Sequence, residues 1–145
     1  MKKSLLLSLL IMVGLAGFSQ EPETAISIIP EPVNLKQGAG HFTLPAQISI
    51  SIPDLPELKE TSLLLKQKLA ATGKPVTAGG NAATATIRFV LNNKEDKAIG
   101  KEGYELSVKS TGITVKANKP AGLFYGVQTL LQLLPKEIES SKPVK

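Results

Sequence analysis

The 145-residue sequence has no cysteine and no tryptophan, one histidine, His41, and one arginine, Arg88. Without cysteine there is no disulfide, no thiolate nucleophile and no thiolate metal site. A lipid-modified cysteine at a signal cleavage site is excluded for the same reason. Without tryptophan the chain lacks the ring on which free-standing sugar-binding modules usually stack their ligands. The remaining aromatics are four Phe and two Tyr, and the sequence places most of them in the core or in the cleaved leader. His41 has no second histidine near it, which argues against a metal site or a catalytic triad and for a surface residue. The lysines are dispersed, so there is no clustered basic surface of the kind nucleic acids select.

Long apolar runs are also missing, apart from one near the start. Lys2 and Lys3 precede the apolar stretch Leu5 to Leu15, and Gly17 and Ser19 are small residues before Gln20. This pattern reads as a signal peptide over residues 1–19, cut before Gln20. The run is short for a membrane span, which needs about 20 residues. The mature chain is expected to be exported, periplasmic or extracellular, and free of the membrane. The net charge of +5 falls to +3 once Lys2 and Lys3 are removed, with 15 basic residues against 12 acidic ones.

The clearest helix signal lies between Pro120 and Pro135. Leu123, Val127, Leu130, Leu131 and Leu134 fall on one helical stripe. Pro120 suits the first helical position and Pro135 ends the run. Gly122 and Gly126 sit inside it, four apart, each costing about 1 kcal/mol against alanine. They share a face and form a groove beside Phe124, Tyr125 and Gln128, where another backbone can approach. That partner is either the domain's own sheet or a neighbouring domain.

Upstream, a short strand is expected at Phe42-Thr43-Leu44 and another at Ile48 to Ile52, where isoleucine alternates with serine. Asp54 is placed as a helix cap with Glu57 three residues on. The helix then runs over residues 55–72, with Leu55, Leu58, Leu65 and Leu69 on one face and Gly73 at its end. Val76 to Ala83 reads as a loop or short strand turning at Gly79-Gly80-Asn81. Residues 84–91 alternate strongly, with Val90 on the second face as in a central strand. Asn92 to Gly103 is a polar connection. Tyr104 to Lys109 and Ile113 to Ala117 alternate on either side of Ser110-Thr111-Gly112, which makes a β-hairpin. The fold class is α+β: a two-layer sandwich of a mixed, mostly antiparallel sheet with two helices on one face.

The segment Ala121 to Pro135 resembles the helix that closes the N-terminal, non-catalytic domain of family 20 glycoside hydrolases, the β-N-acetylhexosaminidases. Ile28-Ile29-Pro30-Glu31-Pro32-Val33 and Gly40-His41-Phe42-Thr43-Leu44 resemble that domain's opening. The resemblance spans roughly residues 26–135. After the signal peptide at 1–19, it implies an accessory domain at 20–135 and the start of a linker at 136–145 containing Lys142-Pro143-Val144. It also implies a C-terminal (β/α)₈ catalytic barrel as packing partner, in a parent acting on N-acetylhexosamine-containing glycans. A barrel takes about 250 residues, so the chain is expected to be a fragment ending before it.

Most glycoside hydrolases use two positioned carboxyl groups, and family 20 lets the substrate's acetamido oxygen attack instead. The resemblance implies that an adjacent Asp-Glu pair in the barrel orients that group and supplies the acid and base. No Asp-Glu dipeptide occurs in this chain. Glu95-Asp96 is the reverse order in a polar stretch and reads as a solvated turn. Asp54 reads as a cap, and Tyr104 as a strand-face packing residue. Arg88 reads as a charged residue on the sheet surface, with a carboxylate or sugar hydroxyl as its alternative partner. Gly79-Gly80 lacks the following Lys-Ser/Thr of a phosphate loop. No catalytic, cofactor-binding or metal-binding residue is assigned, and no cofactor or nucleic acid is expected. Two other readings stand beside this one: the N-terminal domain of a family 84 O-GlcNAcase-like glycosidase, and an independent periplasmic glycan- or protein-binding module.

Overall fold

The computed structural model describes residues 26–135. The expected signal peptide, its cleavage site and the expected linker lie outside the described residues. The elements in chain order are β1 (Ile48–Ser51), α1 (Lys59–Ala70), β2 (Val76–Ala78), β3 (Ile87–Leu91), β4 (Tyr104–Lys109), β5 (Gly112–Ala117) and α2 (Pro120–Leu133), with a 3₁₀ turn at Pro56–Leu58 before α1. The five strands form one sheet in the order β2-β1-β3-β5-β4. Both helices lie on the same face, so the two-layer α+β expectation holds.

The sheet is mixed, as expected, but mostly parallel rather than mostly antiparallel. β1 runs parallel to β2 and to β3, and β3 runs parallel to β5; only β4 and β5 are antiparallel. The helix α1 returns the chain to the same end of the sheet, which makes β2 parallel to β1. The β2–β3 link then crosses β1 without a second helix. Ile50 pairs with Ala78, the last residue of β2, on one side and with Ile87, the first residue of β3, on the other. β3 therefore starts at the level where β2 stops, and a short loop joins two parallel strands. The expected hairpin is present, but β5 inserts between β3 and β4.

Strand alternation sends Ile48, Ile50, Ile87, Phe89, Ile113, Val115 and Ala117 to the helix side. There they meet Leu58, Leu65 and Leu69 from the first helical segment and Leu123, Val127 and Leu130 from α2. Each fully buried Leu or Val on that stripe contributes about 1.5–3 kcal/mol through apolar burial. The glycine face of α2 packs on the domain's own sheet. A Cβ on Gly126 would run into Val115 Cγ1, and one on Gly122 into the Gly103 carbonyl oxygen.

Four local expectations need correcting. Asp54 makes no capping hydrogen bond: neither Leu55, before the 3₁₀ turn, nor Leu58, before α1, has a side-chain cap. Pro56, with its fixed φ, starts a tight turn closed by Leu58 N donating to Leu55 O at 2.9 Å, and α1 continues from it. The helix stops at Ala70, and Gly73, at φ +74°, follows it as the left-handed residue of the C-terminal turn. Phe42-Thr43-Leu44 is not a strand. Phe42 and Leu44 do pack on the core, so the alternation marks a buried side without a ladder partner. The aromatics are less buried than expected, because Phe124 and Tyr125 are both exposed, at 41% and 45%.

One buried polar residue holds the far end of the sheet together. The 92–103 connection must pass over the end of β5 to reach β4. Asn118, 8% exposed, sits at that point. Its Nδ2 donates to the carbonyls of Asp96 (2.8 Å) and Gly100 (2.6 Å), and its Oδ1 accepts from Asp96 N and Asn92 Nδ2, both at 2.9 Å. Every polar group of the side chain is thus satisfied. At the opposite side of the molecule, Gln132 grips the backbone of Ile29: Ile29 N donates to Oε1 and Nε2 donates to Ile29 O, each at 2.9 Å. The opening segment is thereby tied to the last turn of α2.

Candidate functional site

Every Asp and Glu among the described residues is exposed. Glu95 and Asp96 lie in the connection at the end of the sheet. Asp96 Oδ1 accepts from Ala98 N at 2.9 Å, an Asx turn. That is the solvated turn expected of them. Asp54 is exposed beside the 3₁₀ turn, and His41 is exposed in the opening segment. No group of three or more His, Cys, Asp or Glu capable of holding a metal ion occurs among the described residues. None of the described helices is long and apolar enough to cross a membrane. Gly79 and Gly80 turn the chain after β2 with both amides donating to Ile50 O, which is a structural use.

Two surfaces remain. The first is the sheet face opposite the helices. Strand register sets Arg88, Thr114 and Ser107 in one row across β3, β5 and β4, and Val90, Lys116 and Glu105 in the next. With Lys109 they border a shallow hollow of about 500 Å³. Arg88 Nη2 donates to Thr114 Oγ1 at 3.1 Å, so Arg88 lies on the sheet surface as expected, with a hydroxyl for its partner. Tyr104 points the other way, into the core layer. Its hydroxyl bonds Thr129 of α2, so this packing residue also makes a polar tie.

The second surface is formed by the N-terminal ends of the two helices. Phe124 and Tyr125 flank a hollow of about 440 Å³ together with Glu57, Thr61 and Lys119. Their rings meet edge to face, with centroids 5.5 Å apart and planes at 67°. This presents a ridge, not the flat platform on which a sugar ring stacks. The signal for this pair was in the sequence. Both residues fall between the stripe positions Leu123 and Val127, on the side of α2 turned from the core.

Residues 25–143 match the family described as glycosyl hydrolase family 20, domain 2. The chain belongs to that family. A beta-hexosaminidase of Porphyromonas gingivalis (strain ATCC BAA-308 / W83) is 36% identical over 148 residues, covering 96% of this chain and 18% of the relative. Among solved structures, an N-acetyl-beta-hexosaminidase of Streptomyces plicatus superposes with a TM-score of 0.69 at 32% identity, covering 81% of this chain and 23% of that one. A family 20 β-N-acetylhexosaminidase from Streptomyces coelicolor A3(2) gives 0.69 at 33% identity, with the same coverage. This family 20 domain thus spans about a fifth of the length of the relatives it matches. The resemblance read from the closing helix holds, and family 20 rather than family 84 is the family that carries it.

Proposed function

We propose that this chain is the accessory, non-catalytic part of an exported β-N-acetylhexosaminidase. Its parent removes terminal, β-linked N-acetylglucosamine or N-acetylgalactosamine, and this domain packs on the parent's C-terminal (β/α)₈ catalytic domain. The observation that carries the reading is the match to domain 2 of family 20, over about a fifth of relatives named as hexosaminidases. Chemistry supports a non-catalytic role. Substrate-assisted cleavage needs one carboxylic acid over the leaving oxygen and a second carboxylate on the acetamido nitrogen. Both must be held to a fraction of an ångström in a water-excluded pocket. The described carboxylates are all exposed and belong to turns, a strand and helix starts.

The Phe124–Tyr125 ridge supports docking, since two aromatic rings on the outer side of the helix layer suit the centre of a domain interface. Residues 1–19 supply the export signal in this reading. One experiment tests the export and the non-catalytic role. The chain is expressed in a Gram-negative host, recovered from the periplasm, sequenced from its N-terminus and assayed with a chromogenic N-acetyl-β-glucosaminide. Gln20 at the front and no turnover above background are expected, with activity from the full-length parent. An intact Met1 on the exported protein overturns the signal peptide. Turnover by the chain that is lost on changing Glu95 or Asp96 overturns the accessory role.

A further inference from the structure

We propose that the open face of the sheet is an oxyanion site, taking a carboxylate or sulfate group carried on a saccharide, with Arg88 as its anchor. The saccharide part rests on the reading of the chain as part of a glycan-acting enzyme, whereas the oxyanion part rests on this face alone. Parallel sheets are normally covered on both faces. Here, among the described residues, the three parallel pairings leave one face uncovered, and it is polar. The bordering residues carry three cations, Arg88, Lys109 and Lys116, and one anion, Glu105. Glu105 stands directly opposite Lys116 in the β4–β5 ladder, so it offsets that lysine and leaves Arg88 and Lys109 without an acidic neighbour in the hollow. Lys109 faces Gly112 across the ladder, which puts no side chain between it and the floor.

The state of Arg88 points the same way. Its Nη2 bonds the Thr114 hydroxyl, while its Nε is buried and has no hydrogen-bond partner among the described residues. A buried charged donor left without an acceptor is costly. Nε and Nη2 together form the side-on edge of the guanidinium, which grips a carboxylate or sulfate through two parallel N–H bonds. Turning that edge from Thr114 toward the hollow lets one oxyanion accept from both nitrogens and gives Nε the acceptor it lacks. The Ser107, Thr111 and Thr114 side chains then offer hydroxyls to the rest of the ligand. No aromatic ring borders the hollow, so selection there is by charge and hydrogen bonding, which favours an acidic sugar over a neutral one.

The test is a titration of the isotope-labelled 145-residue chain, followed by backbone amide chemical shifts. The probes are glucuronate, glucose 6-sulfate, glucose and inorganic sulfate. The two acidic sugars are expected to give saturable shifts centred on Arg88, Ser107 and Thr114, and glucose none. Arg88→Lys keeps the charge without the two-nitrogen edge and is expected to weaken binding about tenfold. Arg88→Met is expected to abolish it, with amide shifts away from this face reporting an intact fold. If Arg88→Met does not fold, Arg88→Lys alone decides. Binding of inorganic sulfate as tight as that of the sugars overturns the saccharide part and keeps the oxyanion site. No saturable shift with any probe, or binding unchanged in Arg88→Lys, overturns the proposal while leaving the hexosaminidase reading to its own assay.

Discussion

Gly126 of α2 and Val115 of β5 lie so close that a single methyl group on the glycine would overlap the valine's Cγ1. The Tyr104 ring closes the same spot at 3.4 Å. One turn earlier, a methyl on Gly122 would strike the Gly103 carbonyl and approach Ala117 Cβ to 2.8 Å. These two contacts set how deeply α2 sits on β4 and β5. They also bring the helix near enough for the Tyr104 hydroxyl to bond Thr129.

Helix propensity alone favours alanine at both glycines by about 1 kcal/mol. Overpacking in a filled core costs about 1–3 kcal/mol, and the groups in the way cannot yield cheaply. At Gly126 the obstacle is a β-branched side chain stiff at χ1; at Gly122 it is backbone. Gly126→Ala is therefore expected to destabilise the domain by about 1 kcal/mol net, and Gly122→Ala by about 2 kcal/mol. Urea unfolding of the two variants measures this. A rise in stability for both would mean that the helix rides higher over the sheet than described.

Asn118 carries the second prediction. Its amide satisfies two carbonyls and two donors of the connection that passes over β5. Asn118→Asp keeps the shape but turns the Nδ2 donor into an oxygen facing the Asp96 and Gly100 carbonyls. The expected loss is about 2–3 kcal/mol, the cost of unpaired buried polar groups. Amide exchange of residues 92–103 should quicken well before that of β3 or β5. Exchange that quickens uniformly through the sheet would show that Asn118 serves the whole fold rather than this connection.

What the sequence made legible was local. The α2 stripe, the β4–β5 hairpin and the alternation of β3 depend on neighbours in the chain, and all three appear where the residues put them. The parallel ordering was not legible, because it rests on Ile50 pairing with Ala78 and Ile87 at once. No periodicity in the chain encodes that coincidence of level. Asn118 escaped notice for a related reason. A single asparagine between a strand and a helix reads as a turn residue, and its value comes from a loop that only the fold brings over it. Arg88 was legible as a strand-face charge, but its unpaired Nε depends on the contacts of the folded face.

The last prediction concerns Phe124 and Tyr125. Within this chain both rings are exposed, and they touch each other edge to face. Neither ring belongs to the buried core cluster. Replacing both with serine should therefore change the stability of the chain alone by no more than about 0.5 kcal/mol. If the ridge docks on a catalytic domain, the same pair of changes in a full-length hexosaminidase bearing these residues removes two aromatic anchors from an interface. Such anchors are worth about 2 kcal/mol or more. The full-length enzyme should then melt at a lower temperature, or expose this domain to protease first, while its chemistry on a small chromogenic substrate survives in the folded fraction. Equal effects in both proteins would make the pair an internal support. No effect in either would leave the ridge outside the interface and move the docking surface elsewhere on the domain.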